Sequence, residues 1–193
     1  MTGGSAPGRD AARLHGALGA GLGWGDHLFA GHTGAGALGA SWALAKGHSV
    51  DELFCATVAA NEVAGRLGAA LLIGPDRGEA LGQVHALAAA TAAGWLEGLD
   101  RRTLANAMAL AVTGAAGIPF GVLAGEQSGA ALAIGAAVQH GFDAVQMAKK
   151  GVEGPLDAIE APGGVLDSGC WLPLRAAFTG LGQAWLSETL AYK

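Results

Sequence analysis

Asp26, His27 and His32 lie within seven residues of one another in a glycine-rich stretch, Gly23-Trp24-Gly25-Asp26-His27, with Phe29 and then His32-Thr33-Gly34 following. Imidazole titrates near neutrality and an adjacent carboxylate can orient or charge it, so this set has the chemistry to take up and return protons. Trp24 and Phe29 would supply apolar surface beside it. The plainer alternative makes both histidines surface or helix-entry residues. Glu126 is the one charge between Arg102 and Asp143. A carboxyl there is either exposed on a turn or buried with a raised pKa, as a general acid requires. His85 sits among alanines, where a core histidine bonded to backbone competes with a substrate contact. Asp26, His27 and His32 could also imitate a metal set, but no His-x-x-x-His spacing supports one, so no metal is expected. Gly19 to Gly25 lacks the strand-then-helix context of a phosphate loop.

The elements that must position these residues are helical. Thr33 to Lys46 reads as a helix ending at Gly47. Ser49 with Glu52 forms a capping-box pattern that opens the next helix, continued by Leu53, Val58, Val63 and Leu67 and stopping near Gly74-Pro75. A third helix runs from Leu81 to Leu96. Asp100 caps a fourth, whose Leu104, Met108 and Ala111 share one face, and a fifth spans Ser128 to Lys150 before Gly151. Leu156 to Ile159 reads as a short helix and Leu172 to Leu190 as an irregular last one. No stretch alternates with period two for long enough to be a strand, so the expected fold is all-α, a compact bundle of six to eight helices. Small residues four apart, such as Gly36 and Ala40 or Ala89 and Ala93, suit close helix contact.

The 193 residues suit a single domain and include 44 Ala and 34 Gly. With 51% hydrophobic and 14% charged residues the chain is not disordered. A net charge of −5 with 11 Lys and Arg leaves no basic face for nucleic acid. Cys55 and Cys170 form no disulfide framework, which fits a reducing cytoplasm. No targeting segment stands at the N-terminus. Leu104 to Gly125 is uncharged and long enough to span a membrane, but Gly117-Ile118-Pro119 interrupts it, so no membrane partner is expected.

Several runs together resemble the MmgE/PrpD family: His32-Thr33-Gly34-Ala35-Gly36, Asn61-Glu62-Val63-Ala64-Gly65-Arg66-Leu67-Gly68, Gly98-Leu99-Asp100, Leu104-Ala105-Asn106-Ala107 and Ile134-Gly135-Ala136-Ala137 before His140-Gly141. The family includes 2-methylcitrate dehydratase, cis-aconitate decarboxylase and an epimerase of iminodisuccinate. The resemblance spans about Gly23 to Lys193 and covers only the family's N-terminal helical portion, ending where the second, lid domain would begin. It implies residues 1–22 as an N-terminal arm and first helix, residues 23–193 as the helical domain, and a homodimer formed through that domain. It also implies acid/base chemistry without metal or organic cofactor, in a site between helical domain and lid.

His32 matches the family histidine and Asp26 the last aspartate of the family motif. Other positions depart from the pattern. The first, catalytic aspartate falls on Gly23, the motif threonine on His27, the family lysine on Ala130 and its neighbouring histidine on Ala133. A further family histidine falls on Glu79, with His85 replacing it only if residues are deleted. Glu62 and Arg66, four apart on one helix face, are structural by the same resemblance.

The favoured expectation is a cofactor-independent acid/base enzyme of lyase, isomerase or cyclase type, acting on a small organic and less anionic substrate such as a natural-product intermediate. His32, His27, Asp26 and Glu126 would be its catalytic residues, and Trp24, Phe29 and His85 its substrate contacts. Two alternatives stay open: a non-catalytic subunit or pseudoenzyme of a split enzyme whose lid-like part is a separate chain, and a small-ligand binding module.

Overall fold

The computed structural model describes residues 8–22, 26–28, 33–71, 80–118, 128–165, 174–189 and 191–192. Among them the fold is all-α. The helices are α1 (Gly8–Gly21), α2 (Gly34–Ala43), α3 (Val50–Ala70), α4 (Leu81–Leu96), α5 (Arg101–Gly114), α6 (Ser128–Lys149) and the short α7 (Leu174–Ala177), followed by a 3-10 turn at Leu186–Thr189. The helix starts follow local chemistry. Ser49 accepts from the Glu52 amide while Glu52 accepts from the Ser49 amide, a complete capping box. Asp100 accepts from the amides of Arg102 and Thr103 at the head of α5.

α4 is the central helix. It packs against α2, α3, α5 and α6, while α1 lies against α2 and α6. Within α4 only Trp95 is exposed. Alanine is the commonest buried apolar residue of the chain, so backbones rather than long side chains meet at the interfaces. At Gly141 of α6 an added Cβ would stand 2.2 Å from the Ala86 carbonyl oxygen of α4, and at Gly36 of α2 it would stand 2.7 Å from the His85 carbonyl oxygen. Real side chains cannot occupy such space, so these glycines are what lets α2 and α6 rest on α4.

Four details differ from the sequence expectation. Leu156 to Ile159 forms hydrogen-bonded turns, with Ala158 donating to Pro155 and Glu160 to Asp157. So short a run makes too few bonds to offset helix nucleation, and Pro162 prevents its extension. Within the expected Leu172–Leu190 helix, residues 174–189 divide into α7, turns and the 3-10 turn, because Gly180 (φ 72°) and Gly182 (φ 82°) take left-handed backbone. α2 stops at Ala43 and α3 at Ala70, each short of its expected end. Finally, two very short strands exist, β1 (Asp26–His27) and β2 (Ala191–Tyr192), paired antiparallel with Asp26 opposite Tyr192 and His27 opposite Ala191. Two residues carry no detectable alternation, so no sequence pattern announces them.

No helix among the described residues is long and apolar enough to cross a membrane. α5 ends at Gly114, before the Gly-Ile-Pro interruption. The packing makes a direct prediction. Gly141→Ala should destabilise the fold by about 1–3 kcal/mol through overpacking. Gly129→Ala, where the added Cβ meets nothing within 4 Å, should leave stability unchanged or slightly raised. Denaturant midpoints compare the two, and a Gly141→Ala variant as stable as the parent would refute the close α4–α6 approach.

Candidate functional site

The first residue of β1, Asp26, is bonded to the residues that follow His32 in the chain. The Asp26 carboxylate accepts a hydrogen bond from the Gly34 amide at 2.8 Å and one from the Thr33 hydroxyl at 3.2 Å. Thr33 stands at the head of α2 but its own side chain makes no capping bond. Asp26 supplies the acceptor instead, from seven residues upstream of Thr33. The first amides of a helix lack internal partners and carry partial positive charge, so a carboxylate suits the position. A side chain at residue 34 would displace the Asp26 carboxylate, because a Cβ there would lie 2.7 Å from both of its oxygens. Asp26 is 7% exposed and Thr33 fully buried. Among the described residues each carboxylate oxygen accepts one bond, and a carboxylate oxygen has the capacity for a second.

β1 is seated from below by α3. Leu28 is fully buried against Gly65, where a Cβ would stand 2.0 Å from its Cδ2 atom. One residue along, Arg66 forms a buried pair with Glu62, both Nε and an Nη lying 2.7 Å from Oε1. The remaining polar capacity of both side chains goes to the C-terminal segment. Arg66 donates to the carbonyls of Ala177 and Thr179 at 2.9 Å and of Ala184 at 2.7 Å. Glu62 accepts from the amides of Leu186 and Ser187 at 3.0 Å. Burial by itself raises the Glu62 pKa, but those two amides and the Arg66 guanidinium outweigh it and hold the carboxyl below its ordinary value. The segment so held leads into β2, which pairs with β1. Loop base, α3 and C-terminal segment therefore form one connected junction.

The candidate residues divide as follows. Asp26 lies in the junction. His27 is in β1, where its backbone pairs with Ala191 and its side chain is outside the described part. His32, Trp24, Phe29 and Glu126 lie outside the described residues, as do Gly23 and Glu79. His85 is fully buried in α4 and its carbonyl touches α2 at Gly36, so it lies within the helical core. Ala130 and Ala133 fall on the first turns of α6 and are half-buried. Among the described residues no three His, Cys, Asp or Glu side chains are grouped to hold a metal ion.

Sequence reasoning found the Glu62–Arg66 spacing but not its partners, since a four-residue interval says nothing about backbone more than a hundred residues away. Thr33 and Gly34 as the acceptor's partners were also missed. A local capping rule looks for the acceptor at the first helical residues, and here it comes from another element.

The family model for the MmgE/PrpD N-terminal domain matches residues 1–170, most of the chain. The chain belongs to the MmgE/PrpD family. The match begins at residue 1 and so takes in α1, and it ends before α7. No curated protein matches the sequence. Within this MmgE/PrpD N-terminal domain, the Glu-Val-Ala-Gly-Arg run is a packing and clamping element: Gly65 admits Leu28, and Glu62 and Arg66 bind the C-terminal backbone.

The lowered Glu62 pKa fixes the sign of a pH effect. A carboxyl whose folded pKa lies below its unfolded value contributes stability that is fully present above the ordinary Glu range and is lost as pH falls through the folded value. Glu62→Gln should therefore cost about 3 kcal/mol or more near neutrality, by breaking a buried pair. The gap to the parent should narrow as pH falls below the ordinary Glu range and through the lowered folded value, where the parent's own carboxyl protonates. Urea titrations at pH 7 and at acid pH measure this, and a pH-independent gap would contradict the assignment.

Proposed function

We propose that this MmgE/PrpD domain is a cofactor-independent acid/base enzyme of lyase, isomerase or cyclase type, acting on a small organic molecule, with His32 as the principal proton carrier and His27 and Asp26 beside it. The observation that carries the reading is the closed loop base. Asp26 at one end is bonded to Thr33 and Gly34 at the other, so the two ends of the stretch that includes His27, Phe29 and His32 are held together. Anchoring of this kind is what general acid/base catalysis needs, because a proton carrier acts only within hydrogen-bond reach of its substrate. Glu126 is the candidate second acid, and Trp24 and Phe29 the candidate apolar contacts. The reading places the protein in a reducing cytoplasm, consistent with the free, exposed thiol of Cys55.

One observation favours a second reading. Ala130 and Ala133 stand where the family resemblance puts a lysine and a histidine, which suits a non-catalytic helical subunit that works with a separate lid-like chain.

The two readings separate by experiment. Incubation in D2O with a panel of small hydroxy acids and neutral hydroxy-ketones, read by mass spectrometry, should show deuterium incorporation or loss of water from at least one compound. His32→Ala should slow that turnover by roughly 10²–10⁴-fold while leaving the melting temperature within a degree or two of the parent. His85→Ala should do the reverse, lowering stability through a cavity more than it lowers rate. Full activity in His32→Ala would remove it from the mechanism, loss of activity in EDTA would argue for a metal, and inertness toward the whole panel would favour the non-catalytic subunit.

The assembly belongs to the same proposal. Leu14 and Leu18 of α1 and Leu22 just after it are exposed, as are Leu38 and Trp42 on the adjoining α2. Covering them by a second copy would remove apolar surface from water and complete the domain as a homodimer. Light scattering at micromolar concentration should give twice the chain mass, and Leu18→Glu should halve it. A parent that runs as a monomer rejects the dimer.

A further inference from the structure

We propose that Asp26 and Asn61 form a small subsite in the seam between β1, α2 and α3, and that it takes the primary ammonium group of a small organic amine. This deepens the proposed function by naming a substrate class and rests on Asp26 belonging to the site, but amine binding is measurable without turnover.

Asn61 is the residue that calls for a ligand. It is 8% exposed, and among the described residues its buried Oδ1 atom has no hydrogen-bond partner. A buried carbonyl oxygen left unpaired costs about 1–3 kcal/mol, so its retention needs a reason. Its place on α3 follows from the residues one turn to either side. Thr57 is hydrogen-bonded to Ser41 of α2 at 3.0 Å, and Gly65 receives Leu28, which directly follows β1. Residues 57, 61 and 65 share one helix face. Asn61 therefore lies between those two contacts, about 6 Å along α3 from each.

The same seam holds the Asp26 carboxylate. Asp26 and Leu28 are two apart in extended chain and so point to one side, the side that meets α3. Joined by the short connection 44–49, α2 and α3 run antiparallel. From the Ser41–Thr57 contact α2 climbs about 10 Å to Gly34 and α3 about 12 Å to Gly65. The Gly34 amide that binds Asp26 thus arrives level with Gly65, one turn above Asn61. Asp26 is 7% exposed, and among the described residues its carboxylate meets only neutral donors, the Thr33 hydroxyl and the Gly34 amide. A bare helix start would favour an anion, but Asp26 already fills that role. What stays unfilled is acceptor capacity, on Asp26 and on Asn61. Two buried acceptors, one of them anionic, select a cationic donor. The seam is lined by small residues, Gly34, Ala37 and Gly65, which suits a compact ammonium with three donors better than a planar guanidinium.

NMR titration of the full chain tests this, with methylammonium and ethylammonium chloride as probes, ethanol as the neutral match and potassium chloride as the bare cation at equal ionic strength. The two amines should move the Asn61 side-chain amide and the Gly34 backbone amide saturably, and raise the melting temperature, while ethanol and potassium do neither. Asp26→Asn keeps an acceptor for Gly34 but loses the charge, and Asn61→Ala loses the second acceptor without narrowing the seam. Each should weaken amine binding by about tenfold or more. Asn61→Leu, of similar shape, should leave the melting temperature of the free protein level with the parent or above it, because it removes an unpaired buried oxygen. A clear loss of stability there would make Asn61 a structural residue and overturn the subsite. An equal response to ethanol or potassium overturns the ammonium assignment, and no response to amines leaves water as the occupant and overturns it too. Amine binding that is unchanged in both Asp26→Asn and Asn61→Ala places the amine elsewhere. If amines bind as stated while no compound is turned over, the subsite stands and the catalytic reading fails; turnover without amine binding sinks the subsite alone.

Discussion

Arg66 and Glu62 sit together on α3 almost without solvent, and two ions removed from water are tolerated only when geometry and further hydrogen bonds replace their hydration. Their own attraction accounts for one carboxylate oxygen and part of the guanidinium. The rest is met by backbone at residues 177, 179, 184, 186 and 187. The dependence is mutual. A segment with exposed side chains and left-handed glycines has no core of its own, and the ion pair has no solvent to fall back on. Each is stable where it is because the other is there.

A second constraint shapes the rest of the bundle. With alanine and glycine as the commonest residues, the interior has little room for large side chains, and the helices approach until backbone touches backbone. Gly36 and Gly141 bring α2 and α6 onto α4, and Gly39 brings α2 onto Gly16 of α1, where an added Cβ would meet the Gly16 nitrogen at 2.9 Å. Large apolar residues are correspondingly displaced outward, to Leu14 and Leu18 on α1 and Leu38 and Trp42 on α2. Close packing inside and apolar stripes outside are two consequences of one composition.

The candidate site shows where sequence reasoning works and where it stops. The sequence marks Asp26 as a carboxylate beside histidines, and the structure bonds it to Thr33 and Gly34. Accepting from Thr33 and the Gly34 amide depends on residues 26 and 33–34 meeting in space, and no periodicity encodes that meeting. His85 illustrates the opposite case: its alanine neighbours already pointed to a core helix, and it is fully buried in the central one. Glu62 and Arg66 were legible as a pair because four residues is one turn, whereas the C-terminal partners were not, being more than a hundred residues distant.

Sequence by itself determined the helical class, the capped starts at Ser49 and Asp100, the span of α4 and the family, because capping and 3.6-residue spacing are local and each helix reports on its own residues. It also placed a glycine at 34 without saying why. Only the tertiary structure decided that the Asp26 carboxylate occupies that missing side chain's space, that β1 finds its partner at 191–192, and that a short ion pair on α3 binds the C-terminal backbone. These are bonds between groups that chain folding alone brings together, and their energy depends on position in space rather than on spacing along the chain.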